Sequence, residues 1–363
     1  MRKIANVTWV TYYNFGTYLQ AYALQQYIIA LGYDDVILDD SAYAKIHYDW
    51  KYRVKMFVRG CFETHRRFVR SQKEANKLYD QFKKEHLIID YNVADVKRLN
   101  ETYDCFVCGS DQIWNPFSLA YSHNYFFFAD FAKCKKISYA PSIGVSAMPK
   151  EYADKFKSLI TDFAYLSARE RPGQKIMQEL SGKNVAKVVD PTLLLDRTQW
   201  EKLLPNRKEN AENYVLGYFL SPNASYIEAA KEYAHKKGCK FKMFYTDESY
   251  LSVADELITA GPLEFLDAIR NAQSLFTDSF HGSIFASVFH TQFVTFKRFK
   301  DTIRSQNSRV ENLLGMMGIE GRLISEENLS MLNDMEQIDF DFVARKLNPF
   351  INESKGYLIN ALG

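Results

Sequence analysis

Short apolar runs that each end in a polar, glycine-containing turn and pass into a helix constrain this chain more than any other feature. Ile4 to Val10 (IANVTWV) predicts a strand, Thr11 to Thr17 (TYYNFGT) a loop, Leu19 to Leu31 an amphipathic helix closed by Gly32, and Val36 to Asp39 (VILD) a second strand. That opening is the signature of a doubly wound sheet, whose ligands sit at the carboxyl ends of the strands. Three more apolar runs follow: Asp104 to Cys108, which empties into Gly109-Ser110-Asp111-Gln112, then Ile137 to Ala140, then Tyr165 to Ala168, which ends in Arg169-Glu170-Arg171. Val185 to Val189 leads into Asp190-Pro191-Thr192, where the proline stops it and Asp190 reads as an Asx-turn or junction residue. After a charged span containing Pro205, Tyr214 to Leu220 starts a second α/β series. At 363 residues the chain exceeds one ordinary core, so two domains are expected. Their spans are 1–195, with a basic aromatic insertion at about 45–90, and 205–335; residues 336–363 are helices packing back across the junction.

The second series contains the turn Thr277-Asp278-Ser279-Phe280-His281-Gly282-Ser283, between the strand pattern Ala272 to Phe276 and the helix pattern Ile284 to Phe289. Free N–H groups and the dipole at a helix start favour a phosphate or carboxylate. Gly282 permits close approach, and His281 can donate to such a group or move a proton near neutral pH. The structural alternative is that Asp278 or Ser279 caps the helix and His281 is a satisfied, partly buried side chain.

Net charge is only +2, so the molecule as a whole does not advertise nucleic-acid binding, and no nucleic-acid partner is expected. The five cysteines are an odd number at irregular spacing, which fits a reducing compartment, and the first residues read as a strand rather than a leader, so a cytoplasmic protein is expected. Cys105 and Cys108 form a CxxC but lie within an apolar run and read as strand residues; no metal site is expected. Lys45 to Lys73 interleaves basic residues with Trp50, Tyr52, Phe57, Phe62 and Phe68. Such a segment is either a helical flap over the cleft, a grip for a polyanion, or a surface that lies on an anionic membrane.

Five stretches taken in order carry a resemblance. They are Asn14-Phe15-Gly16 with Leu19-Gln20-Ala21, Gly109-Ser110-Asp111-Gln112 with Trp114-Asn115, Ser167-Ala168-Arg169-Glu170, Asp190-Pro191-Thr192-Leu193-Leu194, and the His281 turn. Together they resemble the polysaccharide pyruvyl transferase family across most of the chain. The resemblance implies a GT-B-like α/β fold, two Rossmann-like domains facing across a cleft. It also implies transfer of pyruvate from phosphoenolpyruvate to a sugar of an exopolysaccharide or capsule precursor, as a cyclic ketal, with no cofactor. On that reading His281 is the general acid toward the donor or its phosphate, and Asp111 is a candidate base or sugar orienter. Arg169, Ser279, Gly282, Ser283 and Arg309 hold the donor, while Asn14, Gly16, Gln20, Ser110, Gln112, Trp114 and Asn115 face the acceptor. Where some members carry an arginine two residues before the histidine, this chain has Ser279, which moves the anion partner to Arg304 or Arg309.

Rings such as Trp9, Tyr12, Tyr13, Trp114 and Tyr121 offer stacking faces for a sugar. If the Lys45 to Lys73 segment touches a bilayer, the acceptor is lipid-linked and the protein sits peripherally at the inner membrane face. Two alternatives stay open. A GT-B glycosyltransferase using a nucleotide sugar needs a carboxylate for the ribose, for which Glu264 is the candidate; a sugar-binding or assembly protein needs no catalyst.

Overall fold

A computed structural model describes residues 2–43, 62–117, 125–207, 212–298 and 307–363. Residues 45–61 of the basic aromatic segment, Tyr121 and Arg304 lie outside the described residues.

The first sheet is parallel and takes its strands from β1 (Lys3–Val7), β2 (Asp34–Leu38), β3 (Ile89–Asp90), β4 (Cys105–Cys108) and β5 (Lys135–Ser138), in the order β3-β2-β1-β4-β5. A parallel bridge between Ile137 and Tyr165 extends it to the pair β6 (Leu166–Ala168) and β7 (Val185–Lys187). Helices α1 (Phe15–Ala30), α2 (Glu63–His86), α3 (Val96–Thr102), α4 (Lys150–Ile160) and α5 (Arg171–Ser181) connect these strands. α6 (Arg197–Glu201) then starts on an Asp196/Gln199 capping box.

The second sheet is also parallel, ordered β10-β9-β8-β11-β12-β13. Its strands are β8 (Tyr214–Tyr218), β9 (Lys240–Phe244), β10 (Glu256–Ile258), β11 (Ser274–Thr277), β12 (Gln292–Phe296) and β13 (Leu323–Ile324). With it run α7 (Ala224–Lys236), α8 (Pro262–Asn271), α9 (Phe280–Phe289) and α10 (Asn307–Met317). Last comes α11 (Phe340–Leu362), one continuous helix in spite of Pro349 within it. It returns to the first sheet: Ser354 Oγ accepts the Val189 N–H, and the Tyr357 hydroxyl donates to Ser138 O.

In each sheet the strand order reverses at one place, between β1 and β4 in the first and between β8 and β11 in the second. Loops leaving such strands diverge and open a crevice at their carboxyl ends. The two crevices face each other because Phe15, at the start of α1, is 4 % exposed inside a cluster drawn from both sheets. Its ring stacks on Phe265 at 4.4 Å and meets Tyr79, Tyr218 and Phe244 at 5.3–5.6 Å.

α2 buries His65, Ser71, Ala75, Tyr79 and Phe82 along one edge, which is helical spacing, and leaves Arg66, Arg67 and Arg70 exposed. Its buried edge also reaches the second sheet. His65 Nδ1 pairs with Glu248 at 2.8 Å, Gln72 donates to Tyr245 O at 2.6 Å, and Ser71 meets Thr259 Oγ1 at 2.6 Å. Ile89–Asp90, which falls in the span expected to be inserted, is the edge strand of the first sheet, since Ile37 and Leu38 supply its ladder.

Cys105 and Cys108 lie inside β4 and belong to apolar clusters on opposite faces of the sheet, because residues three apart in a strand point opposite ways. They cannot share a ligand; burial pushes the Cys105 thiol up to about 12. Among the described residues no helix is long and apolar enough to cross a membrane.

Because Phe15 joins the two sheets, Phe15→Ala is expected to cost about 3–5 kcal/mol in urea unfolding. An unchanged midpoint would show that the aromatic cluster does not hold the sheets together.

Candidate functional site

The loops from the two crevices converge on one buried guanidinium. Arg169 follows β6 and is 2 % exposed. Its Nε bonds Glu170 Oε1 at 3.0 Å, its Nη1 bonds Asp190 Oδ2 at 2.5 Å, and its Nη2 stands 3.7 Å from Asp111 Oδ1. Phe280, which opens α9 after β11 of the other sheet, lies under the guanidinium at 4.6 Å. Burial alone would favour the neutral form, but the three carboxylates outweigh it and push the Arg169 pKa up. The group is a permanently charged strut.

Asp190 uses both its oxygens. Oδ1 accepts from Thr192 N and Thr192 Oγ1, the Asx-turn expected from Asp-Pro-Thr. Oδ2 takes Arg169 and also faces His281 Nε2 at 3.4 Å. Burial would raise this carboxyl; His281, then Arg169 and the Thr192 N–H, hold it well below the usual range. The junction reading of Asp190 was therefore half of its role, because the same turn that caps Thr192 points the second oxygen at the histidine.

His281 is 8 % exposed. Ser279 is the N-cap of α9 and accepts the Gly282 N–H, while Thr277 Oγ1 accepts the Ser279 N–H. The N–H groups of Phe280 and His281 are then the donors at this helix start. On the other face of the ring lies Gly16, where an added Cβ would stand 1.9 Å from His281 Nδ1. The α1 and α9 starts, one from each sheet, thus meet at van der Waals distance, and only glycine admits the imidazole. Asp278 secures the same turn from behind, since its carboxylate accepts Leu220 N and Ser221 N at 2.6 and 3.0 Å.

Asp111 holds a left-handed backbone (φ 67°), which aspartate tolerates, and its Oδ2 accepts from Thr17 Oγ1 at 2.9 Å. Arg309, on α10, is half-buried near Arg169. Loss of solvation, then the Arg169 charge, pulls its guanidinium down to about 10, so it remains protonated at neutral pH. Arg298 stands near it, with Nε donating to Ser221 Oγ at 2.8 Å. Sequence reasoning did not single out Arg298; its place just after β12, a strand end, was the available signal.

Asp111, His281, Arg169 and Arg309 therefore come together, with Gly16, Gly282 and Ser279 as the framework of the turn. Other expected site residues are engaged elsewhere. Ser283 Oγ is buried between Ser279 O and Thr295 Oγ1 and does not face the crevice. Gln20 is fully buried, joining Thr8 Oγ1, Thr17 O and Ser110 N, and the Ser110 hydroxyl donates to Ala140 O. Trp114, expected to be exposed, is fully buried against Phe128, Phe156 and Phe163, because its indole N–H finds Phe127 O within the core. Gln112 and Asn115 bond each other at 3.2 Å, against Gly144. Asn14 caps α1 by accepting the Thr17 N–H. Glu264 turns back on its own helix to accept the Gly261 N–H, which commits it as a cap rather than a ribose ligand. Among the described residues no group of three or more histidine, cysteine or acidic side chains is arranged to hold a metal ion.

Two substitutions test this geometry. Asp190→Asn leaves Arg169 and His281 short of a buried carboxylate and is expected to cost about 3–5 kcal/mol at neutral pH. Since the Asp190 carboxyl is held low, its contribution is full above the unfolded value of about 3.9 and lost as pH falls through the folded one. The gap between wild type and Asp190→Asn in urea unfolding should therefore narrow below about pH 4; a constant gap would contradict the pairing. Gly16→Ala should cost about 1–3 kcal/mol by overpacking and shift the His281 ring resonances.

Comparison with known proteins agrees with this architecture. Residues 14–298 match the model of the family described as polysaccharide pyruvyl transferase. No curated protein sequence matches the chain. Among solved structures, a putative UDP-N-acetylglucosamine 2-epimerase from Listeria monocytogenes is similar with a TM-score of 0.56 at 10% identity, over 99% of this chain and 95% of the other. The UDP-GlcNAc 2-epimerase of Methanocaldococcus jannaschii gives 0.52 at 13% identity, over 100% and 99%. That of Neisseria meningitidis gives 0.50 at 9% identity, over 100% and 99%. At these identities the likeness is one of fold, and the fold is GT-B. With the family model spanning most of its length and all five of its sequence stretches gathered around or beneath one charge cluster, the chain belongs to the polysaccharide pyruvyl transferase family, transferases here built on a GT-B fold.

Proposed function

We propose that this protein transfers the pyruvyl group of phosphoenolpyruvate to two hydroxyls of a sugar in an exopolysaccharide or capsule precursor, forming a cyclic ketal. The observation that carries the reading is His281, held between Asp190 and Gly16 at a helix start, with Arg309 pressed toward Arg169 beside it. Arg309 and Arg298, two guanidiniums near each other, suit a ligand with two anionic groups, and phosphoenolpyruvate has a carboxylate and a phosphate.

Arg169 is already neutralised by its carboxylates, so its part is to orient Asp111 and Asp190. The donor's charges fall instead to Arg309, to Arg298 and to the N–H groups of Phe280 and His281. Asp190 faces Nε2 of His281 and fixes the ring, which leaves Nδ1, on the Gly16 side, to exchange a proton with substrate. His281 protonates C3 of the donor, turning its methylene into a methyl group. The first sugar hydroxyl adds to C2 as Asp111 takes its proton. Phosphate then leaves, and the second hydroxyl closes the ketal. One hydroxyl proton in effect replaces that given to C3, and the other departs with phosphate. No step as written needs a cofactor.

Calorimetry with phosphoenolpyruvate, beside a panel of nucleotide sugars, tests the donor. Arg309→Ala should weaken phosphoenolpyruvate binding by roughly 10- to 100-fold, as loss of a charged hydrogen bond does. His281→Ala should lower the rate of donor-dependent phosphate release by about 10²–10⁴-fold. Binding of a nucleotide sugar with no response to phosphoenolpyruvate would overturn the reading in favour of glycosyl transfer.

If the acceptor is lipid-linked, the exposed Arg66, Arg67 and Arg70 edge of α2 faces the anionic inner leaflet. Replacing all three with alanine should then reduce cosedimentation with phosphatidylglycerol vesicles; equal sedimentation would remove membrane contact from this account.

A further inference from the structure

Beside the charge cluster a cavity of about 230 Å³ opens between the two sheets. Its walls come from the Tyr12 to Phe15 loop, from α2, and from the carboxyl ends of β8, β9 and β10. Two residues join it to the cluster. Asn14 lines it and caps the helix whose Gly16 touches His281. Tyr218 lines it too, and its hydroxyl is within hydrogen-bonding reach of Ser279.

Charge separates this cavity from its neighbour. Among the described residues lining it there is no lysine or arginine, and Asp247 is the one carboxylate. A diphosphate or sugar phosphate seated here would lose its hydration with no cation among the described lining residues to replace it, since Arg67 and Arg298 act on Tyr245 and Tyr218 from outside that lining. The walls instead present rings and neutral polar groups: Tyr79 and Tyr245, the Gln72 and Asn76 amides, and the Thr246 hydroxyl. Tyr245 is 7 % exposed and its hydroxyl has no hydrogen-bond partner within the protein. A buried hydroxyl left unpaired is costly, and a ligand hydroxyl would satisfy it. At the rim Tyr12 is 52 % exposed, offering a ring face to the apolar side of a pyranose.

We infer that this cavity is the acceptor subsite, and that it takes an uncharged saccharide unit by its hydroxyls and ring face, leaving any phosphate of a larger acceptor outside. The inference rests on the pyruvyl-transfer reading, which requires a pair of sugar hydroxyls next to His281. It also moves the acceptor away from Gln20, Ser110 and Trp114, which are internal, to residues of α2 and the second sheet.

Saturation-transfer NMR with methyl hexosides, against glucose 6-phosphate, glucuronic acid and UDP, tests it, each probe with and without phosphoenolpyruvate. Methyl hexosides should give signals, and Asn76→Ala and Tyr245→Phe should each weaken them at least fivefold while phosphoenolpyruvate binding keeps its wild-type strength. Equal or stronger signals from the charged probes, lost in the same variants, would overturn the uncharged class. Hexoside signals indifferent to both variants, or no hexoside signal under either condition, would overturn the site. Hexoside binding that depends on Asn76 and Tyr245 in a protein blind to phosphoenolpyruvate would support the cavity while removing the pyruvyl donor.

Discussion

A single guanidinium, Arg169, sets the geometry on which the rest of the site depends. It draws Glu170, Asp190 and Asp111 from three different loops to within ion-pair distance, and Phe280, at the start of α9, closes over its face. A buried cation of this kind is tolerable only when paired, and the three carboxylates would repel one another without it. One consequence lies in the local structure: the Asp190 turn is locked at both oxygens. Another lies in the site: the oxygen that meets Arg169 also faces His281.

The same constraint ties packing to chemistry across the two sheets. Helix α1 brings Phe15 into an aromatic cluster with Phe265 and, one residue later, lays Gly16 against the imidazole. Helix α2 fastens the second sheet through His65, Gln72 and Ser71. His281, to which we assign the acid role, therefore belongs to one half of the molecule while Asp190 and Gly16 against it belong to the other. Any movement of one sheet against the other would change the Asp190–His281 distance, so the proposed proton transfer depends on the contact between the sheets.

Much of the fold was legible because parallel strands and their helices leave strong periodic patterns, from Ile4 to Val10 through Gln292 to Phe296. The His281 turn was legible for the same reason: a strand, a capping serine and a glycine stand in fixed order. Asp190 was half-legible, since Asp-Pro-Thr announces a turn but not the distant histidine that its free oxygen meets. Trp114 misled because its neighbours in sequence are polar, whereas its burial is decided by Phe128, Phe156 and Phe163. The cavity was not legible at all. Its walls are contributed near residues 12–15, 71–79 and 218–260, and nothing local in any of these announces the other two.

The most direct test of the central claim is where the proton on C3 comes from. The protein, phosphoenolpyruvate and a sugar acceptor would be incubated in deuterium oxide and the product methyl group read by NMR. The account predicts a ketal methyl carrying one deuterium, with one phosphate released for each. Vinyl signals of phosphoenolpyruvate that stay unchanged while a nucleotide sugar is consumed would contradict it.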